Sequence, residues 1–245
     1  MSRRNGSEVM NESYIETYVD LNGNVSHRKV IKKALLVVFA GIKFMFDRLL
    51  ALFGIIVASP LMLIIAIAIK LDSKGSVLFR QKRTGKLGKE FYIYKFRTMA
   101  ENNDVHDFSK SDEHTRVGKI LRKTSLDELP QLFSIFTGKM SFIGPRPWIP
   151  DYYENMNKAQ RHRYAVRPGL TGLAQAMGRN NISIFKKIEY DLEYINNYSL
   201  YQDIRIIFLT IKAVFTGSGA DAGKGTIQKE LEDLAKQNNK NKMSK

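Results

Sequence analysis

The longest apolar run in the chain covers 49–69 and carries no charged residue. As a straight helix its 21 residues would extend about 31 Å, close to the thickness of the hydrocarbon core of a bilayer. Ser59 and Pro60 lie at the middle of the run, where a proline removes a backbone hydrogen bond and kinks or breaks a helix. The pattern therefore predicts a membrane-associated helix that is broken at this dipeptide.

Basic residues flank the run on both sides, which bears on its topology. The positive-inside rule assigns such flanks to the cytoplasmic face, so both ends of the run are expected there. We favour a re-entrant helix, which enters and leaves through the same leaflet, while a kinked spanning helix stays open. The length of the run disfavours a buried core helix. The flanking cations are Lys43, Arg48, Lys70, Lys74, Arg80, Lys82 and Arg83.

The remaining pattern predicts a little β structure followed by helices. The segments 77–79 and 91–96 are rich in β-branched and aromatic residues, and the glycine-bearing segment 84–88 between them predicts a hairpin. Helical periods dominate from residue 120 onward. The fold class is thus α+β and mostly helical. We divide the chain into a polar N-terminal extension (1–33), a membrane-associated segment (34–74), a cytoplasmic domain (75–220) and a polar, partly helical C-terminal tail (221–245).

Charge and composition narrow the function classes. The chain holds 39 Lys and Arg residues against 24 Asp and Glu, a formal net charge of +15. The excess lies mainly in the body, and it suggests a polyanionic partner: nucleic acid, an anionic membrane surface or a phosphorylated substrate. The sequence has no cysteine, which excludes disulfide scaffolds, thiolate metal sites and thiol nucleophiles. Any catalysis must therefore rest on oxygen and nitrogen groups.

The segment 124–130 is the densest cluster of chemically active residues. Ser125 with Glu128 fits a capping box, or Asp127 caps a helix that has Pro130 in its first turn. Either register places both carboxylates at a helix N-terminus, where the helix dipole also attracts phosphate. Taken alone, capping explains these residues.

Arginines on constrained backbone favour a functional interpretation of the same carboxylates. Arg146 and Arg167 lie in Pro/Gly turns and Arg179 follows a glycine, and guanidinium forks on rigid turns suit bidentate phosphate binding. The four histidines show no spacing typical of a metal site. Further cations near the hairpin end and the carboxylates are Lys95, Arg97 and Arg122.

An ordered series of motifs covers 43–215 and carries a family resemblance. The motifs are KFMFD at 43–47, Ser59-Pro60, FRQKRTG at 79–85, YKFRTM at 94–99, TSLDELPQL at 124–132, GKMSFIGPRP at 138–147, RPGLTG at 167–172, Ala174-Gln175, Gly178-Arg179-Asn180, Asp191 and Asp203. Together they resemble the bacterial sugar transferase family, the monotopic phosphoglycosyl transferases that start glycan assembly on polyprenol phosphate. One departure is Ile184, where many members carry tryptophan, and it leaves the sugar preference open.

The resemblance implies a monotopic enzyme on the cytoplasmic face of the bacterial inner membrane, with a re-entrant helix broken at Ser59-Pro60 and interfacial amphipathic helices. It implies transfer of a sugar-1-phosphate from a UDP-sugar to undecaprenyl phosphate with release of UMP. Asp127 matches the nucleophile of a covalent intermediate, and Glu128 matches the ligand of Mg²⁺. The residues associated with substrate or phosphate binding are Lys95, Arg97, Arg122, Arg146, Arg167, Gln175, Arg179 and Asp203.

The expected partners are the UDP-sugar, undecaprenyl phosphate and the inner leaflet, with a homodimer and downstream glycosyltransferases as further candidates and no nucleic acid. The competing hypothesis is a non-catalytic, membrane-tethered basic protein that binds anionic lipid or nucleic acid. Such a protein would show no Mg²⁺ dependence, and the Asp127 and Glu128 carboxylates would weaken its binding. These two hypotheses differ most sharply in the role of that carboxylate pair.

Overall fold

The computed structural model describes residues 27–100, 114–178, 182–215 and 226–243. It confirms a mostly helical fold with a small amount of β structure. The helices are α1 (His27–Asp72), α2 (Arg116–Thr124), α3 (Gln131–Phe136), α4 (Pro150–Asn155), α5 (Lys158–Arg161), α6 (Leu173–Gly178), α7 (Ile184–Asn196), α8 (Leu200–Phe215) and α9 (Thr226–Met243). The strands are β1 (Leu78–Thr84), β2 (Glu90–Phe96), β3 (Ser141–Ile143) and β4 (Gly169–Thr171).

The predicted hairpin is confirmed, although its first strand continues to Thr84, five residues beyond the predicted segment 77–79, and its second begins one residue early at Glu90. β1 and β2 pair antiparallel from Leu78 opposite Phe96 to Thr84 opposite Glu90. Alternate residues of β2 point into the protein, and Ile93 and Phe96 are buried against the helices. Lys95 is two residues beyond Ile93 and therefore shares its inward side of the strand, which presents Lys95 toward the carboxylate segment.

The predicted break at Ser59-Pro60 is wrong at the level of secondary structure, because α1 continues through both residues as a single helix of 46 residues. Pro60 lacks the N–H that would bond to the Ile56 carbonyl four residues earlier. The Ser59 hydroxyl donates to that same carbonyl at 2.8 Å. The serine therefore replaces the hydrogen bond that the proline removes, and the helix is not interrupted there.

One face of α1 packs against the rest of the protein on both sides of Pro60. Lys43, Asp47 and Ala51 are buried on the N-terminal side, and Ile65 and Ile69 on the C-terminal side. The remaining apolar surface is exposed: only 11% of the most apolar window of 36–72 is buried, and the segment is long and apolar enough to cross a membrane. This exposure rules out a buried core helix.

Two of the Pro/Gly turns meet in a short parallel pair of strands that the sequence did not predict. β3 pairs with β4, and the pairing continues where Gly144 N–H donates to the Thr171 carbonyl at 2.9 Å. A Cβ on Gly144 would lie 2.4 Å from the Arg167 carbonyl oxygen, so only glycine fits this approach. The pair holds the loop after β3, which carries Arg146, in a defined position.

The C-terminal segment is helical, as predicted, and it also contributes to the core. Leu234 of α9 is fully buried among Trp148, Tyr152 and Ile188. Glu230 accepts hydrogen bonds from the Tyr152 hydroxyl and from Lys187 Nζ, both at 2.6 Å. The apolar and charged contacts of α9 thus attach it to α4 and α7.

Candidate active site

Three parts of the fold bring two carboxylates and two cations together. β2 supplies Lys95, a 3-10 turn at Leu126–Glu128 supplies Asp127 and Glu128, and the loop after β3 supplies Arg146. Glu128 Oε1 accepts from Lys95 Nζ at 2.5 Å and from Arg146 Nη2 at 2.9 Å. Asp127 Oδ2 lies 4.0 Å from Lys95 Nζ.

The two carboxylates differ in their freedom. Glu128 is held by two cations, whereas the Asp127 carboxylate accepts no hydrogen bond from any residue that the structure describes. The Asp127 side chain is 14% exposed, so it is enclosed yet reachable. A carboxylate in this condition is available to attack an electrophile, and its neighbour is not.

Neither predicted helix-capping register is present. Ser125 ends α2 in the left-handed region with a φ of 58°, and its side chain makes no capping hydrogen bond. Pro130, not Asp127, precedes α3. The carboxylates therefore lie in a tight turn between two helices, and the strained residue Ser125 redirects the chain so that they face the cations.

Burial and charge act in opposite directions on the two acids. Burial alone would raise the pKa of Glu128, but the charges and hydrogen bonds of Arg146 and Lys95 outweigh it and lower that pKa to about 2. Burial raises the pKa of Asp127, with a further rise from Glu128, and Lys95 offsets only part of it. Glu128 is therefore a permanent anion, whereas Asp127 is the more basic carboxylate.

Arg122 lies near the pair without an ion pair to it. Its positive charge lowers the pKa of Asp127, and its Nη1 donates to His114 Nε2 at 2.9 Å. The His114 ring in turn contacts the Thr98 carbonyl through Nδ1 at 3.1 Å. His114 thus orients Arg122, a role that the spacing of the histidines did not reveal.

Four predicted site residues lie in structural contacts away from the carboxylates. Arg97 donates to the carbonyls of Ser73 and Lys74 at the end of α1. Arg167 Nε donates to the Gly138 carbonyl at 3.0 Å. The other two are Gln175, which donates to the Leu170 carbonyl, and Asp203, which pairs with Lys43; Arg179 lies outside the described residues.

Asp203 belongs to a buried polar network that joins α1 to α7 and α8. Lys43 Nζ lies 2.8 Å from Asp203 Oδ2, and the Tyr194 hydroxyl donates to Asp203 Oδ1 at 2.8 Å. Asp47 of α1 accepts from the Ser141 hydroxyl at 2.6 Å. The network fixes the position of α1 on the body, since each of its charges has a partner.

Arg163 is a supporting residue that sequence reasoning missed. It is 1% exposed, it pairs with Asp191 through Nε and Nη2, and its guanidinium stacks on Trp148 at 3.6 Å. Nη2 also donates to the Arg146 carbonyl at 2.9 Å. Arg163 therefore positions the backbone of the residue that holds Glu128, and no local sequence signal distinguishes it from a surface arginine.

The donor set bears on whether Mg²⁺ fits. Among the described residues no group of three or more His, Cys, Asp and Glu side chains could hold a metal. Mg²⁺ often binds through one or two carboxylates together with substrate phosphates and water. Both cations reach Glu128 through Oε1, and no described residue hydrogen bonds to Oε2. The pair therefore fits an ion shared with a phosphate and does not form a complete protein cage.

Comparison with known proteins indicates the family to which the chain belongs. The family model described as bacterial sugar transferase matches residues 38–217. The chain is 43% identical over 195 residues to the UDP-N-acetylgalactosamine-undecaprenyl-phosphate N-acetylgalactosaminephosphotransferase of Aeromonas hydrophila, which covers 75% of this chain and 46% of the relative. It is also 43% identical over 177 residues to the UDP-glucose:undecaprenyl-phosphate glucose-1-phosphate transferase of Xanthomonas campestris pv. campestris. This match covers 67% of this chain and 37% of the relative.

The chain thus spans less than half the length of these two relatives. A shorter relative, the exopolysaccharide production protein ExoY of Sinorhizobium fredii, is 40% identical over 194 residues, which is 71% of this chain and 86% of the relative. The family match includes the segments that supply Lys95, Asp127, Glu128 and Arg146. The chain therefore belongs to the bacterial sugar transferase family.

Proposed function

We propose that the chain transfers a sugar-1-phosphate from a UDP-sugar to undecaprenyl phosphate, with release of UMP, as a first membrane step in the assembly of exopolysaccharide or a related glycan. The relatives named above as undecaprenyl-phosphate sugar phosphotransferases support this substrate class. The observation that carries the proposal is the asymmetry of the carboxylate pair. The Asp127 carboxylate is enclosed, burial raises its pKa, and it accepts no hydrogen bond from the described residues. Glu128 beside it is bound by two cations.

In the first step an Asp127 carboxylate oxygen attacks the phosphorus that carries the sugar. A bond forms between that oxygen and the phosphorus, the bond from the phosphorus to the bridging oxygen breaks, and UMP leaves with the electron pair. The diphosphate repels an attacking carboxylate, so its charge must first be neutralised. Lys95 and Arg146 lie where they can do this, since both contact the neighbouring Glu128.

In the second step a phosphate oxygen of undecaprenyl phosphate attacks the same phosphorus. The Asp127–phosphorus bond breaks, the carboxylate is regenerated, and the product is a lipid-linked diphosphate sugar. A covalent intermediate divides one difficult transfer into two, and UMP leaves before the lipid reacts. The site thus needs to enclose only one pair of reacting groups at a time.

We expect the reaction to depend on Mg²⁺, which neutralises phosphate charge and acts as a Lewis acid when bound. Glu128 would hold it, since its pKa of about 2 keeps the carboxylate ionised and Oε2 is without a partner among the described residues. Asp127 would remain uncoordinated as the nucleophile. The chain's own cations, Lys95 and Arg146, hold Glu128 in place for this task.

We further propose that the enzyme is monotopic, on the cytoplasmic face of the bacterial inner membrane. Both halves of α1 pack on the same body, which supports an arrangement in which both ends of the helix stay on one side. α8 adds a second apolar face at helical spacing, and a stripe of this kind is typical of a helix in the membrane interface. The exposed large apolar residues of α8 are Leu200, Tyr201, Ile204, Ile207, Phe208 and Ile211.

The decisive experiment omits the lipid acceptor. Detergent-solubilised protein with Mg²⁺ and each of a panel of UDP-sugars should release UMP in an amount no greater than the enzyme, and gain the mass of one sugar phosphate on Asp127. Asp127→Asn should form no adduct, whereas Glu128→Gln should form it slowly and with weakened Mg²⁺ dependence. A ternary-complex rate law in place of ping-pong kinetics would contradict the covalent step. Lipid binding without UMP release from any donor would favour a non-catalytic binding protein.

A further inference from the structure

The Arg83 side chain reaches the loop that carries Arg146, and the hairpin holds the side chain in this position. The Thr84 N–H donates to the Trp148 carbonyl at 2.8 Å, which attaches the end of β1 to this loop. The Arg83 side chain itself donates from Nη1 to the Pro147 carbonyl at 3.3 Å. The guanidinium therefore meets the loop one residue from Arg146, from the side of the hairpin.

The Arg83 guanidinium lacks a negative partner within the described part of the chain. Its Nη2 donates to the neutral amide oxygen of Gln81 at 2.5 Å, and its Nε is buried without a hydrogen-bond partner among the described residues. Arginine has five N–H donors, and buried charges in proteins are normally paired. This cation is thus incomplete unless an anion binds beside it.

Positive charge exceeds negative charge around Arg83. Burial lowers the pKa of Arg83 to about 10, and Arg146 adds to that effect, while Tyr152 and Glu128 oppose it only in part. Glu128 is already shared by Lys95 and Arg146. In the described part of the chain, Arg83, Lys95 and Arg146 therefore lie around a site whose further carboxylate is Asp127, and such an excess of positive charge suits a phosphate group.

We propose that Arg83 binds a phosphate of the donor diphosphate, next to Arg146 across Pro147; this inference rests on the proposed function. A diphosphate presents several anionic oxygens, and a guanidinium fork recognises two of them at once. Arg83 thereby holds the leaving nucleotide while Asp127 attacks. It is a binding residue and does not itself form a bond to phosphorus.

The test compares Arg83→Gln with Arg80→Gln, its matched control. Arg80 lies on the same strand, is exposed, and stacks on Tyr92 at 3.9 Å. Binding of UDP, inorganic pyrophosphate and uridine is measured in detergent with Mg²⁺. We expect Arg83→Gln to weaken UDP and pyrophosphate binding roughly 10- to 100-fold and to leave uridine binding unchanged. Arg80→Gln should change none of the three.

An unchanged affinity of Arg83→Gln for UDP and pyrophosphate would overturn the inference. Equal losses for UDP and uridine would also overturn it, because they would assign Arg83 a purely structural role. If Arg83→Gln does not fold, Arg83→Lys replaces it: the charge remains but the fork is lost, so we expect an intermediate loss of affinity for both UDP and pyrophosphate and none for uridine. Wild-type protein that binds pyrophosphate but releases no UMP from any UDP-sugar would contradict the transferase proposal and not the role of Arg83.

Discussion

Asp127 and Glu128 are neighbours in the chain, yet their surroundings assign them different chemistry. Two cations reach Glu128 within 2.9 Å and keep it ionised, whereas burial raises the pKa of Asp127. A nucleophile benefits from a raised pKa, since a more basic carboxylate is a better donor of electrons. At the scale of the residue, the proposed division of roles follows from which carboxylate the cations contact.

The pH dependence of the first step should report Asp127. The attacking form is the carboxylate, so the rate of UMP release should fall as the pH drops through a pKa that lies above the usual value of 3.8. Arg122→Gln should move this acid limb to higher pH, because the positive charge of Arg122 lowers the pKa of Asp127. Lys123→Gln, an exposed neighbour, serves as the control. Identical limbs in both variants and wild type would contradict the assignment.

Substitutions of Asp203 and of Arg146 should have different effects, the first on stability and the second on donor binding. Asp203→Asn removes one charge of a buried pair with Lys43, so we expect a loss on the order of 3 kcal/mol in the free energy of unfolding and an unchanged donor KM. Arg146→Ala removes a side chain that is 41% exposed, so it should raise the donor KM far more than it lowers Tm. Thermal melts and donor titrations measure both. A raised donor KM for a stable Asp203→Asn would instead place Asp203 in the substrate site.

Among the secondary-structure elements, α9 shows how a polar segment can support the site. Its sequence is rich in Lys, Asn and Glu, yet it buries Leu234 in the cluster that holds Trp148. Trp148 in turn stacks on Arg163, which holds the Arg146 carbonyl. The helix lies beyond the residues 38–217 that the family model matches, yet through Trp148 and Arg163 it supports the loop that carries Arg146.

Leu234→Ala should therefore destabilise the whole body. A large-to-small change at a fully buried position costs about 2–5 kcal/mol through lost burial and the cavity left behind. Trp148 is the single tryptophan of the chain, so its fluorescence during denaturant unfolding reports on this cluster directly. Gln228→Ala, on the exposed side of α9, should change the stability by less than about 0.5 kcal/mol. Equal stability of both variants would mean that α9 only rests on the surface.

For the molecule as a whole, the proposed position of the membrane rests on two exposed apolar surfaces, one on α1 and one on α8. Because the sequence contains no cysteine, a single introduced cysteine can be labelled without background. Asn24→Cys and Ser73→Cys should both react with a membrane-impermeant reagent from the cytoplasmic side only. Pro60 can kink a helix that continues through it, so replacing Ser59 and Pro60 together by leucine should straighten α1 and shift part of the population toward a spanning topology. If Asn24→Cys and Ser73→Cys, each with Ser59 and Pro60 unchanged, are labelled from opposite faces of the membrane, the monotopic arrangement is ruled out.

The sequence by itself determined the features that depend on neighbouring residues. The apolar run of 49–69, the hairpin and the proximity of Asp127 to Glu128 follow from local composition and periodicity. Prediction from the sequence failed where a local rule had an exception. The Ser59 hydroxyl replaces the hydrogen bond that Pro60 removes, and Ser125, in the left-handed conformation, does not form the expected helix cap. Both exceptions depend on the geometry of one side chain or one backbone residue, and secondary-structure propensities, which are averages over many proteins, do not contain it.

Only the tertiary structure decided which cations serve the carboxylates. Lys95 and Arg146 lie 33 and 18 residues from Glu128, and the hairpin and the β3–β4 pair bring them to it. Arg97, Arg167 and Asp203 looked equally suitable in the sequence, but packing placed them against backbone carbonyls and Lys43. A charged residue carries the same chemistry at every position. What differs is the set of groups that folding places within about 3 Å of it, and that set depends on contacts between distant segments.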